Sequence, residues 1–488
     1  MENTQAAAKQ PSSLYLLSFT ELWERFGFYT VQTIMVLYMT KALHMADGEA
    51  DMLYAAFSSL LYLTPILGGY LADRYLGFQR SIMIGGVLLA IAYLTCAFPN
   101  RTIFFLGLSI LICANGFFKP NVSSIVGELY AENDPRRDGG FTIFYIGINI
   151  GALVPPLIAG VMVNHYGWHS GFLLAAAGMI IGQIVFIWGK KRLGNLGNYP
   201  KNDSPTTPPS KSFYALLALG TIFCIGLCEL AFTYAKATDY AVIAAAIATI
   251  VILTFMILKL DRSQQKRMIA CLILIAISVI FWSVYNQTFT SLMLFADRNM
   301  TQRFLGLPFD AEATQFFNPF FIIVFGAALS SLWVKLDKRG LNPSTPMKFS
   351  LAVLFMSAGF FLLAFTTHYF SNNQGQTASE WLGLSYMLQT IGELLISPIG
   401  LAMITVLSPK KLEGMMMGVW FFSQAASFAI GGILANIAAV PDKLSAQASL
   451  PIYSHAFMVY GYLSLAITVI SFALVPFLKR LVQGTHQG

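Results

Sequence analysis

The residues best placed to do chemistry are charged ones set in apolar surroundings. Glu21-Leu-Trp-Glu24-Arg25-Phe26-Gly-Phe-Tyr29 lies in a long apolar run near the start of the chain. On a helix, Glu21, Arg25, Phe28, Tyr29 and Gln32 share one face, with Glu24 beside it. Two carboxylates and one guanidinium leave an excess negative charge that one proton neutralises. A carboxylate poised between burial and a neighbouring cation can load and release a proton as those neighbours move. The plainer alternative is a static ion pair that fixes helix packing.

Three further places stand out. Lys119, in Asn115-Gly-Phe-Phe-Lys119-Pro120-Asn121, lies deep in another apolar run. Its natural partners are the carboxylates at Glu21 and Glu24, or the carboxylate of a substrate; otherwise it reaches along its stem to an interface. Glu393, in Gln389-Thr-Ile-Gly-Glu393-Leu-Leu-Ile-Ser397-Pro398, is the carboxylate most deeply set in an apolar run of the second half. Arg25 and Lys119 on one side and Glu393 on the other make a bipolar site that suits a zwitterion. A peptide has that form and a simple sugar does not. Asn286, within Tyr285-Asn286-Gln287, together with Asn149 and Asn318, would offer amide donors and acceptors to a peptide backbone, or serve as glue between helices. The aromatics Tyr62, Trp282 and Trp420 are candidates to line the cavity.

These residues need elements that hold them in a low-dielectric place. The chain has 488 residues, 56% hydrophobic and only 11% charged, with a mean hydropathy of +0.64. Soluble domains carry about 25% charged residues, so lipid is the expected solvent. A spanning helix needs about 20 mainly apolar residues. Such runs fall near 14–43, 52–75, 80–98, 102–130, 140–165 and 170–191, then 213–234 and 238–260. Six more lie near 268–296, 314–336, 347–369, 379–407, 413–438 and 454–478. A polar stretch from Leu193 to Lys211 reads as a linker. The predicted fold is all-α and integral to the membrane, with about fourteen spans. Residues 1–192 form one six-helix bundle, 193–267 a basic linker with an extra helix pair, and 268–488 a second six-helix bundle. That ground plan is the major facilitator fold. Pro65, Pro120, Pro155, Pro156, Pro319 and Pro398 interrupt spans and allow bending. Glu229, in the inserted pair, reads as a surface or packing residue.

Most of the 30 Lys and Arg fall in alternate loops. By the positive-inside rule that places both termini in the cytoplasm. The net charge of +7 is therefore a topology signal rather than a nucleic-acid patch. Residues 1–13 lack the parts of a cleaved signal peptide. The five cysteines sit in apolar runs without zinc or redox spacing, so no metal site is expected. H-E-x-x-H, G-x-S-x-G and P-loop signatures are lacking, which argues against an enzyme and against a nucleotide-driven pump.

Two stretches carry a family resemblance. The first-span segment resembles the ExxERFxYY signature of the proton-coupled oligopeptide transporter family. Phe144-Tyr145-Ile-Gly-Ile-Asn149-Ile-Gly151-Ala-Leu153 resembles that family's FYxxINxGSL signature. The resemblance covers nearly the whole chain, including the extra helix pair of bacterial members. Gly68-Gly69-Tyr-Leu-Ala-Asp73-Arg74-Tyr-Leu-Gly77 resembles the loop shared by major facilitator transporters, where an Asp faces a helix N-terminus. The family resemblance implies a symporter that imports di- and tripeptides with protons as coupling ion and no other cofactor. It implies a bacterial inner-membrane location, no nucleic-acid partner and a monomer. Glu21, Glu24, Arg25 and Lys119 then match the proton-coupling group. Arg25, Lys119 and Glu393 match the residues that meet the peptide ends. Tyr29, Tyr62, Asn149, Asn318, Ser397 and Trp420 match positions that line the peptide cavity. There are departures. Asn286 stands where many members carry a carboxylate, which bears on a second proton site and on the proton-to-peptide ratio. Phe28 replaces the first Tyr of the signature, and Gln32 stands where some members have Arg. Some plant relatives move nitrate or other small anions, which keeps transport of another small solute (nitrate, a drug or a peptidomimetic) as the alternative.

Overall fold

The computed structural model describes residues 9–131, 134, 136–198, 210–441 and 444–483, with the side chains of 138, 401, 482 and 483 left aside. The extreme termini and the linker stretch 199–209 thus lie outside the described residues. Lys201 and Lys443 lie outside them too.

The first half of the chain forms α1 (Ser12–Leu37), α2 (Asp47–Leu76), α3 (Phe78–Cys96), α4 (Arg101–Glu128), α5 (Gly139–Tyr166), α6 (Trp168–Leu193) and α7 (Lys211–Thr233). There follow α8 (Ala235–Ile257), α9 (Arg262–Asn299), α10 (Glu312–Asp337), α11 (Thr345–Tyr369), α12 (Ser379–Leu407), α13 (Glu413–Ala438) and α14 (Ala446–Leu481). Among the described residues, thirteen of these are long and apolar enough to cross a membrane. The other is α1, whose 26 residues span about 39 Å and which carries Glu21, Glu24 and Arg25. The boundaries fall close to the expected spans. The largest change is α14, which begins several residues before the run expected at 454–478 and passes through Pro451. One element was not anticipated: a short hairpin, β1 (Arg303–Phe304) and β2 (Leu307–Pro308), turned by Leu305 and Gly306.

Local chemistry starts and bends these helices. Asn100 caps α4 by accepting from Ile103 N at 3.1 Å, and Asp261 caps α9 by accepting from Ser263 N and Gln264 N. Gly77 joins α2 to α3 with φ of +76°. A side chain there would also meet the Asn198 carbonyl, because the segment after α6 docks at this turn. Gln79 donates to Gly197 O from its backbone and to Leu196 O from its side chain. Asp73, in the same loop, is exposed and has no hydrogen bond or ion pair among the described residues. Of the expected proline breaks, α5 is interrupted at Val154 before Pro155, whereas the helices run through Pro65, Pro120 and Pro398. Another internal break has no proline. α9 passes through a 3₁₀ turn at Asn286–Thr288, and its last nine residues restart at Ser291.

The chain divides into two compact units. One holds Met1–Met35 and Leu63–Thr233; the other holds Val36–Tyr62 and Tyr234–Gly488. In the first, α3 packs on α4 and α6, and α7 lies against α4. In the second, α11 packs on α12 and α14, and α9 and α8 pack on α13. The inserted helices and α10 expose most of their apolar surface, with Leu216, Phe223, Ile252 and Phe255 more than half exposed. Water would penalise that surface and lipid does not.

Candidate functional site

In the first unit the chemistry centres on Arg25. Glu21, Glu24 and Arg25 are all buried. Arg25 grips Glu24 with two parallel bonds, Nε to Oε2 and Nη2 to Oε1, the latter at 2.7 Å. This planar fork is the strongest geometry open to the pair. Glu21, one turn earlier, is held more loosely, with Oε1 3.4 Å from Arg25 Nε. Its Oε2 is buried and has no hydrogen-bond partner among the described residues. The guanidinium also lies 5.0 Å from the centre of the Phe28 ring. Lys119 is half-buried on α4 and acts electrostatically on Glu21, Glu24 and Arg25. The four groups therefore balance: two carboxylates, two cations.

Glycines bring these helices together. On α5, a side chain at Gly151 would overlap the Leu22 carbonyl and meet Arg25 Cβ at 2.9 Å. One at Gly147 would lie 2.9 Å from Ser18 O. Thus the second signature stretch packs its glycines on the backbone of the first. On α2, a side chain at Gly68 would overlap the Gly116 carbonyl of α4. That crossing lies one turn before Lys119.

The second unit presents a carboxylate with a different setting. Glu393, half-buried on α12, accepts from Tyr285 Oη at 2.8 Å and from Asn318 Nδ2 at 2.6 Å, both on Oε2. Asn318 also donates to Thr390 at 3.2 Å. Oε1 has no hydrogen-bond partner among the described residues, and it can receive a cationic ligand group. The preceding Gly392 makes this possible. A side chain there would meet Ala352 O of α11 at 2.7 Å and the Phe281 ring of α9 at 3.0 Å. Ser397 follows one turn on from Glu393.

Other expected residues take distinct places. Tyr29 and Tyr62 are half-buried, and the Tyr62 ring lies 5.5 Å from Phe428. Asn149 donates to the Tyr145 carbonyl of its own helix at 2.8 Å. Asn286 is buried with Nδ2 unpartnered among the described residues. Gln287 ties α9 to α13 by donating to Gly431 O at 2.9 Å. Trp420 is buried with its ring pressed on Gly400 of α12. Trp282 packs edge-on against Tyr285 at 5.1 Å. Glu229 is half-buried.

Sequence reasoning singled out two amides beside Tyr285 and gave the phenol no role, because a phenol in an apolar run raises no alarm. Nor did it anticipate Tyr93, fully buried close to Glu24 and Arg25, with a hydroxyl that has no hydrogen-bond partner among the described residues. An ion-pair network in the second unit was missed as well. Arg298 of α9 donates twice to Asp47 of α2, once at 2.7 Å, and to Tyr453 of α14 at 3.2 Å. Lys41 pairs with Asp297 beside it.

Comparison with known proteins decides the class. A model of the POT family matches residues 80–451. The chain is 34% identical to "Dipeptide and tripeptide permease B" of Salmonella typhimurium, over 98% of each protein. It is 36% identical to "Dipeptide and tripeptide permease A" of Yersinia pestis, over 97% of this chain and 94% of that one. The chain belongs to the POT family. Among solved structures, the peptide transporter POT in complex with sulfate superposes with a TM-score of 0.84 at 31% identity, covering 97% of this chain and 96% of that one. Tetrameric PepTSo2 superposes with a TM-score of 0.84 at 30% identity, covering 96% and 99%. This POT-family chain is a multi-pass membrane protein of bacterial permease type with the major facilitator fold, and it is a transporter rather than an enzyme.

Proposed function

We propose that this chain imports di- and tripeptides together with protons by alternating access, across the bacterial inner membrane, with both termini in the cytoplasm. The observation that carries the proton step is the unequal pairing around Arg25. Glu24 is fully engaged, whereas Glu21 keeps a buried oxygen unpartnered among the described residues. That oxygen is where a proton is taken up. With Glu21 ionised the four charges cancel. With Glu21 protonated one positive charge is left over, and Arg25 and Lys119 receive the carboxylate end of the peptide. Glu393 Oε1 receives the amino end while Tyr285 and Asn318 hold the other oxygen. Tyr29, Tyr62, Asn149, Asn286, Ser397 and Trp420 complete the substrate contacts. Proton release to the cytoplasm restores the balance and resets the cycle.

In this reading the working halves are the bundles of residues 1–192 and 268–488, with 193–267 inserted between them. No cofactor besides the proton is required. One chain holds every residue in the scheme, so the monomer is the working unit. One proton crossing about 100 mV supplies ~2.3 kcal/mol, enough for roughly fifty-fold accumulation of a neutral dipeptide.

The test is uptake of labelled dialanine into proteoliposomes with and without an inward proton gradient. Saturable, gradient-dependent accumulation is expected. Folded protein that shows neither uptake nor dialanine-sensitive transport would sink the peptide reading and turn attention to nitrate, drugs or peptidomimetics.

A further inference from the structure

We infer that Asp239, on the inserted helix α8, is a second proton-binding carboxylate of this transporter, an inference that rests on the proton-coupled reading above. Asp239 is 1% exposed, and neither of its oxygens has a hydrogen-bond partner among the described residues. It lies one turn into α8, where that helix meets α13 and α2. The meeting point is Gly432. A side chain there would overlap Ala55 of α2 and lie 3.5 Å from both Asp239 Oδ2 and the Asp51 carbonyl.

The adjacent residue, Gly431, faces Asn286. A side chain at Gly431 would lie 3.3 Å from Asn286 Cβ and 3.8 Å from its Nδ2. One pair of consecutive glycines on α13 thus separates the Asn286 Nδ2 on α9 from the Asp239 carboxylate on α8, neither with a hydrogen-bond partner among the described residues. Position 286 is an amide, and an acid of this neighbourhood, Asp239, stands across the glycine pair on a different helix.

Among the described residues, the charged and titratable groups around Asp239 offer it no counter-ion. On α8 itself, Lys236 and Tyr240 are exposed. From α2 comes Asp51, 1% exposed with Oδ1 unpartnered among the described residues, and beyond it Asp47. From α9 come Arg298, committed to Asp47 and Tyr453, and Tyr285, committed to Glu393. On α14, Tyr460 donates to Leu434 O. The acid of α13, Glu413, stands at the start of that helix, far from Gly432. An ionised carboxylate in so dry a place without a cation is costly. A proton removes the charge and turns one oxygen into a donor. The step is a simple exchange: the carboxylate takes one proton from the outside and gives it up inside, adding one charge to each cycle.

The test is the zero-flux potential of reconstituted protein at a fixed dialanine gradient, which gives the number of protons moved per peptide. Wild type is expected to move at least two. Asp239→Asn should move one fewer, lowering the limiting accumulation about fifty-fold at ~100 mV. A cooperative melting transition shows that the variant is folded. Unchanged proton number in folded Asp239→Asn overturns the inference. If that variant does not fold, the smaller Asp239→Ser is read in the same way, and a one-proton value for wild type overturns the inference by itself. Wild-type protein without any peptide flux would instead sink the transport reading on which it rests.

Discussion

At the residue scale, the two acids of α1 are not equivalent. Glu24 is locked by the Arg25 fork, and Glu21 is held at a single longer contact. Glu21→Gln is therefore expected to abolish proton-driven accumulation of dialanine while peptide exchange between the two sides survives. Parallel gradient-driven uptake and counterflow assays read the two apart, and full accumulation in the variant would remove Glu21 as the proton carrier. Glu393 makes a different demand. Its free oxygen must meet an ammonium, and a hydrogen bond to a charged group contributes about 1.5–3 kcal/mol. Glu393→Gln should weaken dialanine binding roughly 10- to 100-fold. It should have little effect on N-acetylated dialanine, which has no ammonium to lose. Competition binding with both ligands measures this. An equal loss for the two would show that Glu393 acts on something other than the amino end.

At the element scale, the site is positioned by helices that approach to backbone contact. Gly68 and Gly69 are neighbours with opposite demands. A side chain at Gly68 overlaps the Gly116 carbonyl, whereas one at Gly69 meets only Pro120 carbons at 3.8 and 4.0 Å. Gly68→Ala is expected to destabilise by at least the ~1–3 kcal/mol typical of overpacking. Gly69→Ala should be close to neutral. Melting temperatures of the two purified variants decide this, and equal values would contradict the close crossing of α2 and α4. The break in α9 belongs to this scale too. Asn286, Gln287 and Thr288 form a single 3₁₀ turn, stabilised where Gln287 donates to Ser283 O and Gly431 O. Polar residues were legible there, but the interruption was not, since breaks were sought at prolines.

At the scale of the whole molecule, the second unit is assembled from segments far apart in the chain. Arg298 of α9 binds Asp47 of α2 across 251 residues of sequence, and Asp47 also accepts from Val440 N at 3.0 Å. Asp47 is buried and Arg298 half-buried, so removing either partner leaves a poorly solvated charge and destabilises the fold. Asp47→Ala and Arg298→Ala should each lower the melting temperature. The double variant should lower it by clearly less than the sum. Additive losses would show that the pair is not coupled. The inserted helices matter at this scale as well. α8 fills a place on α13 and carries Asp239 into it, so the pair is more than a peripheral membrane anchor.

Composition pointed to lipid as the solvent, and the order of residues showed about fourteen runs long enough to span it and where the most conspicuous charges lie. A charge in an apolar run is legible because no other solvent explains it, which is why Glu21, Arg25, Lys119 and Glu393 stood out. The glycines of the signature stretches were legible as letters but not as reasons. Only the packing shows that Gly147 and Gly151 must be bare so that α5 can lie on the backbone of α1. Tyr285 acquired its role because α9, α10 and α12 converge on Glu393, and no spacing along one helix encodes that. Asp239 stands a few residues from the end of an apolar run, where an acid ordinarily meets water. Its burial is a property of the α2, α8 and α13 contact, made by residues far apart in sequence, and so only the tertiary structure decides it.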